Sequence, residues 1–178
     1  MRIGLSQRIL FHKNRAYDSI EQSWYEFLKD HTLVFIPNRL PVIVPEIDCL
    51  IITGGDSSAV RNQVEQELIR HFYKLDIPVI GICHGCQLLT KMYGGDCTEV
   101  IGHMNVMHKV HTSTETHTVN SYHNLCIEYP PPGSTILARD EADNPEAWIY
   151  GNLAGIMWHP ERMSKPWIPE EIKQLFDK

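Results

Sequence analysis

The sequence contains no run of about 18 consecutive apolar residues, the length a membrane-spanning helix needs. Its opening, Met1-Arg2-Ile3-Gly4-Leu5-Ser6-Gln7-Arg8, has no apolar signal core and no small-residue cleavage site, so the expected location is the cytoplasm. There is no excess of base. The 16 Lys and Arg stand against 22 Asp and Glu, a net charge of −6, which argues against a nucleic-acid groove binder. There is no G-x-x-x-x-G-K phosphate loop. Cysteine is sparse and odd in number, five in all at 49, 83, 86, 97 and 126, and in a reducing compartment these are thiols. Repeats, low-complexity segments and interdomain linkers are absent. What remains is a small-molecule or protein partner for an ordinary globular chain, 43% apolar and 21% charged. Its 178 residues suit one domain, 1–178, with a full core.

The first half alternates. Short apolar strands are expected at Ile3–Leu5, Thr32–Ile36, Ile47–Thr53 and Ile77–Ile82. Between them lie helical stripes: Ile20, Trp24, Phe27 and Leu28, then Val60, Val64, Leu68 and Phe72, the latter capped by Asp56 or Ser57. A third helix runs through Leu88, Leu89 and Met92 to a stop at Gly94-Gly95. The order β-α-β-β-α-β-α with continuously apolar strands predicts a mostly parallel sheet covered on both faces. The second half shows short strand-like runs at Val106–Val110, His117–Val119, Ile127–Tyr129, Thr135–Ala138, Ala147–Tyr150 and Leu153–Trp158. A last helix begins near Pro169, with Ile172, Leu175 and Phe176 on one face. The expected class is α/β, a flavodoxin-like three-layer domain with a central mostly parallel sheet and additional short antiparallel strands.

Three segments carry chemistry. In Gly81-Ile82-Cys83-His84-Gly85 a buried strand runs straight into a helix with Cys at the junction, the thiol form of the G-x-S-x-G elbow. The glycines let strand and helix approach, and the helix N-terminus favours a reactive thiolate. In Trp158-His159-Pro160-Glu161 a histidine follows an apolar strand with a carboxylate two residues on, on the same face of extended chain. Cys83, His159 and Glu161 then fit nucleophile, base and orienting acid. Gly54-Gly55, at the end of a third strand, leaves backbone N–H groups bare, so Gly55 and His84 suit an oxyanion hole. All three lie outside the carboxyl ends of strands, where open α/β sheets place their sites.

These motifs resemble class I glutamine amidotransferases, the Cys-His-Glu triad family. The nucleophile motif is Gly81 to Gln87, the base motif Trp158 to Glu161, and the oxyanion loop Gly54-Gly55. Ser121-Tyr122-His123-Asn124 matches the loop that family uses for the glutamyl α-amino end. The resemblance implies hydrolysis of a γ-glutamyl amide through a Cys83 thioester, with substrate contacts from Gln87, Ser121, Tyr122 and His123. It implies no metal or organic cofactor for the reaction. Asn120 to Asn124 and Gly155 to His159 are similar to the stand-alone γ-glutamyl hydrolase branch, which includes the γ-glutamyl-GABA hydrolases. Gly4-Leu5-Ser6-Gln7-Arg8 resembles small members serving surface-polysaccharide (capsule) biosynthesis, whose substrate is γ-glutamyl-CDP-amidate; there Arg8 would meet a phosphate. Two departures stand out: His84 replaces the Leu or Arg frequent after the nucleophile, and the 178 residues leave no spare length for the ammonia-using domain expected of a family synthetase.

Other readings stay beside this one. The chain fits a glutaminase subunit feeding a separate synthetase. Cys83 and Cys86 also spell the C-x-x-C of a redox or ligand-binding regulatory domain. A zinc set of Cys83, Cys86, His108 and His111 lacks a knuckle-like loop. His103, His108, His111 and His117 are expected at strand or loop surfaces, His123 as a pocket wall, and Cys86 in the core.

Overall fold

A computed structural model describes residues 1–176. In chain order its elements are β1 (Arg2–Ser6), β2 (Arg8–His12), β3 (Arg15–Ser19), α1 (Ser23–Phe27), β4 (Thr32–Ile36), β5 (Cys49–Ile52), α2 (Ala59–Lys74), β6 (Val79–Ile82) and α3 (His84–Met92). There follow β7 (Asp96–Glu99), β8 (Met104–His111), β9 (Thr116–Tyr122), β10 (Leu125–Tyr129), β11 (Thr135–Asp140), β12 (Pro145–Tyr150) and β13 (Leu153–Ile156). A 3-10 turn, Pro160–Arg162, and a short α4 (Glu170–Lys173) complete the described chain.

Nine strands form one sheet in the order β4-β1-β5-β6-β13-β12-β11-β8-β9. From β4 to β13 every pairing is parallel, and from β13 to β9 every pairing is antiparallel. The chemistry of the strands explains the layers. Cys49–Ile52, Val79–Ile82 and Leu153–Ile156 are buried along their whole length, so both sheet faces are covered. One face packs against Val64, Leu68 and Phe72 of α2 and Leu89 of α3. The other packs against Trp24 of α1, Ile172 of α4 and Leu175 beyond it. The flavodoxin-like expectation holds.

Helix α2 starts on Ser58, whose Oγ accepts from the Arg61 N–H at 3.3 Å; the cap is neither Asp56 nor Ser57. It ends in a Schellman closure, Asp76 N–H to Tyr73 C=O and Ile77 N–H to Phe72 C=O, with Asp76 left-handed. Helix α3 ends as its glycine signal predicts, with Gly94 at φ 89°. The expected stripe of α2 holds at Val64, Leu68 and Phe72, but Val60 is 44% exposed and the buried face begins with Arg61. Two elements lie outside the expected strands, one of them despite the apolar run Ile9-Leu10-Phe11. These are the outlying β2–β3 hairpin, turned through left-handed Lys13 and Asn14, and β7, which pairs with β10. None of the helices described is long and apolar enough to cross a membrane.

Candidate active site

The expected nucleophile, Cys83, stands on a strained elbow. Cys83 has φ 49° and ψ −102°, a left-handed backbone that a side chain rarely adopts. Its N–H donates to the Ile156 C=O at 2.8 Å, extending the β6–β13 ladder by one step before α3 begins. The flanking glycines are required by contact. A Cβ on Gly81 would strike the Gly85 backbone, and one on Gly85 would strike the Ile52 backbone. Cys83 therefore sits at the head of α3 with the helix lying directly on β5 and β6.

His159 follows β13 and faces this elbow. Its Nδ1 lies 2.7 Å from Glu161 Oε1, and both side chains are buried. Burial alone would lower the imidazole, but hydrogen bonding to Cys83 and to Glu161, with the charge of that carboxylate, outweighs it and raises the pKa to about 9. The histidine backbone is held by one side chain from the antiparallel half. Asn120 Nδ2 donates to the His159 C=O at 2.8 Å, and Asn120 Oδ1 accepts the His159 N–H at 2.8 Å. The ring also presses on Gly54, where a Cβ would collide with it. This explains the first glycine of the Gly54-Gly55 pair, and the second has φ 112°.

The two expected oxyanion donors are linked by a buried network. His84 Nε2 lies 2.9 Å from Glu65 Oε2. Glu65 Oε1 accepts from Ser6 Oγ at 2.7 Å and from Arg61 Nε at 2.8 Å. Arg61 then donates to the C=O groups of Thr53 (2.6 Å), Gly54 (3.3 Å) and Asp56 (3.0 Å). Both charged side chains are 0% exposed. Burial would raise the Glu65 carboxyl, but His84, Arg61 and Ser6 hold it below its ordinary value. The unusual histidine after the nucleophile thus has a partner, and the network fixes the Thr53–Asp56 loop relative to the head of α3.

The expected substrate residues are placed differently from one another. Gln87 donates weakly to the Leu125 C=O at 3.4 Å and is half-buried. Tyr122 stands edge-on to the His159 ring, centroids 5.5 Å apart, with the Arg162 guanidinium 4.9 Å over its own face. The Ser121 hydroxyl is buried and donates to the His103 C=O at 2.7 Å. His123 turns toward His103 and Glu146, and burial drives its pKa down to about 3. Arg8 packs its stem against Gly55 and shares Glu21 with Arg162. A small cleft between Arg8, Glu21, Thr53, Gly54, Glu161 and Arg162 opens beside the histidine pair.

Cys86 lies in the core against Gly155 and Trp148, its thiol pushed far above the ordinary range by burial. The expected surface placement of His103 and His108 is wrong, for their side chains are only 11% and 12% exposed. The sequence reading missed Asn120, Arg61 and Glu65. The last two carried a signal, charge on the apolar stripe of a helix; Asn120 carried none of its own.

A family profile for "Glutamine amidotransferase class-I" matches residues 16–178. The chain is 29% identical to the γ-glutamyl-CDP-amidate hydrolase of Campylobacter jejuni, covering 91% of this chain and 90% of that one. It is 26% identical to a glutamine-hydrolysing GMP synthase subunit of Sulfurisphaera tokodaii, over 76% and 79% of the two chains. Among solved structures, a glutamine amidotransferase from Thermotoga maritima superposes with a TM-score of 0.72 at 18% identity, covering 90% of this chain and 76% of that one. By the reach of that profile along its length, the chain belongs to the class I glutamine amidotransferase family.

Proposed function

We propose that the protein hydrolyses a γ-glutamyl amide at Cys83, His159 and Glu161. The observation that carries this is the His159 ring between Cys83 and Glu161, at 2.7 Å from the carboxylate and raised to about 9. An imidazolium at that place stabilises a thiolate beside it. The Cys83 sulfur attacks the γ-carbonyl carbon, and the oxyanion that forms is stabilised by the Gly55 and His84 N–H groups. His159 gives its proton to the leaving nitrogen as the C–N bond breaks. Water then transfers a proton to His159 and attacks the thioester, releasing glutamate and freeing Cys83. Gln87 and Tyr122 face the glutamyl moiety; Ser121 and His123 shape the wall behind Tyr122.

The leaving group we assign is an anionic amidate, a γ-glutamyl nucleotide phosphoramidate of the kind named for the Campylobacter relative. Arg8 supports this, because its stem packs against Gly55 and its guanidinium, 3.9 Å from Glu21, lines the cleft. Likeness to that relative over nine-tenths of both chains supports it too. The second reading, a glutaminase subunit serving a separate synthetase, is favoured by the likeness to the Sulfurisphaera GMP synthase component.

The test is glutamate release by the purified chain from γ-glutamyl-CDP-amidate and from L-glutamine, with Cys83→Ala and Arg8→Ala as controls. The amidate is the better substrate by kcat/KM, and Cys83→Ala lowers its turnover by about 10⁴-fold or more. Arg8→Ala raises KM for the amidate by about tenfold and leaves that for glutamine unchanged. Faster turnover of glutamine that appears only with a synthetase present supports the second reading. Turnover that survives Cys83→Ala overturns the mechanism.

A further inference from the structure

Behind the wall that carries Tyr122 lies a group of side chains the proposed reaction does not use. His103 precedes β8, His108 lies on β8, Asp140 ends β11, and Glu146 lies on β12. One donor atom from each lies within 4.8 Å of all the others. His103 Nε2 is 3.3 Å from Asp140 Oδ2, and His103 Nδ1 is 3.8 Å from Glu146 Oε1. His108 Nε2 is 3.8 Å from Glu146 Oε2. A tetrahedral ion with ligands at about 2.0–2.1 Å separates its donors by about 3.3–3.5 Å. His103 approaches Asp140 through Nε2 and Glu146 through Nδ1, so its ring and the carboxylates must draw in from 4.8 Å for one nitrogen to share an ion with the other three donors.

A second observation points to a ligand independently. Glu146 is 0% exposed, and neither of its carboxylate oxygens has a hydrogen-bond partner. His103 Nδ1 and His108 Nε2 are buried without partners as well. So many orphaned groups around one point are strongly unfavourable unless something sits among them.

The surroundings have the form of a supported ligand set. Asp140 Oδ1 accepts from the Ala142 and Asn144 N–H groups, at 2.9 and 2.8 Å, and Oδ2 accepts from Asn144 Nδ2 at 2.8 Å. Such contacts aim a ligating carboxylate. Two carboxylates with two neutral imidazoles balance the charge of a divalent ion, and a nitrogen–oxygen set of four suits Zn²⁺. His123 has its Nε2 3.6 Å from Glu146 Oε1 and closes the group from the side of the candidate site.

We propose that His103, His108, Asp140 and Glu146 bind a Zn²⁺ ion that fastens the antiparallel half behind the active-site wall. The His103 C=O accepts from Ser121 Oγ at 2.7 Å and from the His123 N–H at 3.1 Å. Fixing His103 therefore fixes the segment that sets Tyr122 against His159. The ion takes no part in the thioester chemistry.

The experiment measures metal content and binding in the full chain carrying Cys83→Ala, so that the nucleophile takes up no zinc. The expected result is one zinc per chain retained through gel filtration, and a visible absorption band of tetrahedral cobalt when Co²⁺ replaces it. His108→Ala and Glu146→Gln each weaken Zn²⁺ binding by about 100-fold or more and abolish the cobalt band, whereas His12→Ala and His71→Ala, both at the surface, change neither. Should Glu146→Gln fail to fold, His108→Ala and the cobalt spectrum decide. Metal retained by both variants, or a metal-free chain that takes up no Zn²⁺ at micromolar concentration, overturns the proposal. Iron or manganese in place of zinc overturns the choice of ion.

Discussion

Because His159 binds its proton more tightly in the folded chain than a free imidazole does, its charge contributes stability in one pH window. The contribution is fully present below the ordinary histidine pKa, near 6.5, and is lost as pH rises through about 9. A raised pKa of this size corresponds to an effect of order 3 kcal/mol, divided between Cys83 and Glu161. Thermal midpoints measured at pH 6 and pH 9.5 should therefore fall with pH, and the fall should be smaller in Glu161→Gln. The same variant should lower kcat by about 10³–10⁴-fold, since the imidazole loses both its orientation and the partner of its charged form. An equal pH dependence in the two proteins would place the stabilising carboxylate elsewhere. At this scale the sequence was informative wherever the chemistry is local. The glycines around Cys83 follow from turn geometry alone; His159 does meet Glu161, but across the 3-10 turn Pro160–Arg162 rather than along the extended chain that was expected. Asn120 is 39 residues from the backbone it clamps, and no short-range pattern encodes that pairing.

Two elements hold the remaining backbone in place, and each can be broken separately. Helix α3 rests on β5 through Gly85, where an added methyl would meet the Ile52 backbone. Gly85→Ala should cost about 1–3 kcal/mol and lower the melting temperature by roughly 5–10 °C. A melting temperature unchanged within a degree would show that the helix can retreat. Helix α2 acts through Arg61 and Glu65. Arg61→Met should leave KM for the γ-glutamyl substrate nearly constant and reduce kcat by about 10–100-fold, because the Thr53–Asp56 loop loses its anchor while the binding groups are untouched. Equal losses in both parameters would make the pair a general stabiliser of the fold. The periodicity of α2 was legible from its apolar residues, but its first turn was misjudged at Val60. An arginine on an apolar stripe looks like an error in the pattern until its carbonyl partners are seen. Strand β7 was illegible for another reason, since Asp-Cys-Thr-Glu is half exposed and pairs only with β10.

On the scale of the whole molecule the sheet has two regimes that meet at β13, which pairs parallel to β6 on one side and antiparallel to β12 on the other. Alternating apolar strands and helices announced the first regime, because both faces of its central strands are buried. The second is built from neighbouring hairpins, β8–β9, β11–β12 and β12–β13, and only the long-range pairing of β11 with β8, which sets their order, has no local pattern behind it. The histidine and acid cluster belongs wholly to the second regime, and its members lie on four segments, so spacing gave no hint of it.

The connection between the regimes is sparse. Ile101 is 99% exposed, and Gly102, at φ 94°, has nothing near its open side. Cys83, Gly55 and His84 all precede this point, and Asn120, His159 and Glu161 all follow it. A break in the chain there would yield two inert fragments, each holding a partial set of reactive groups. Reassembly through the β6–β13 and β7–β10 pairings would restore turnover, so activity would report the reunion of two polypeptides rather than the integrity of one.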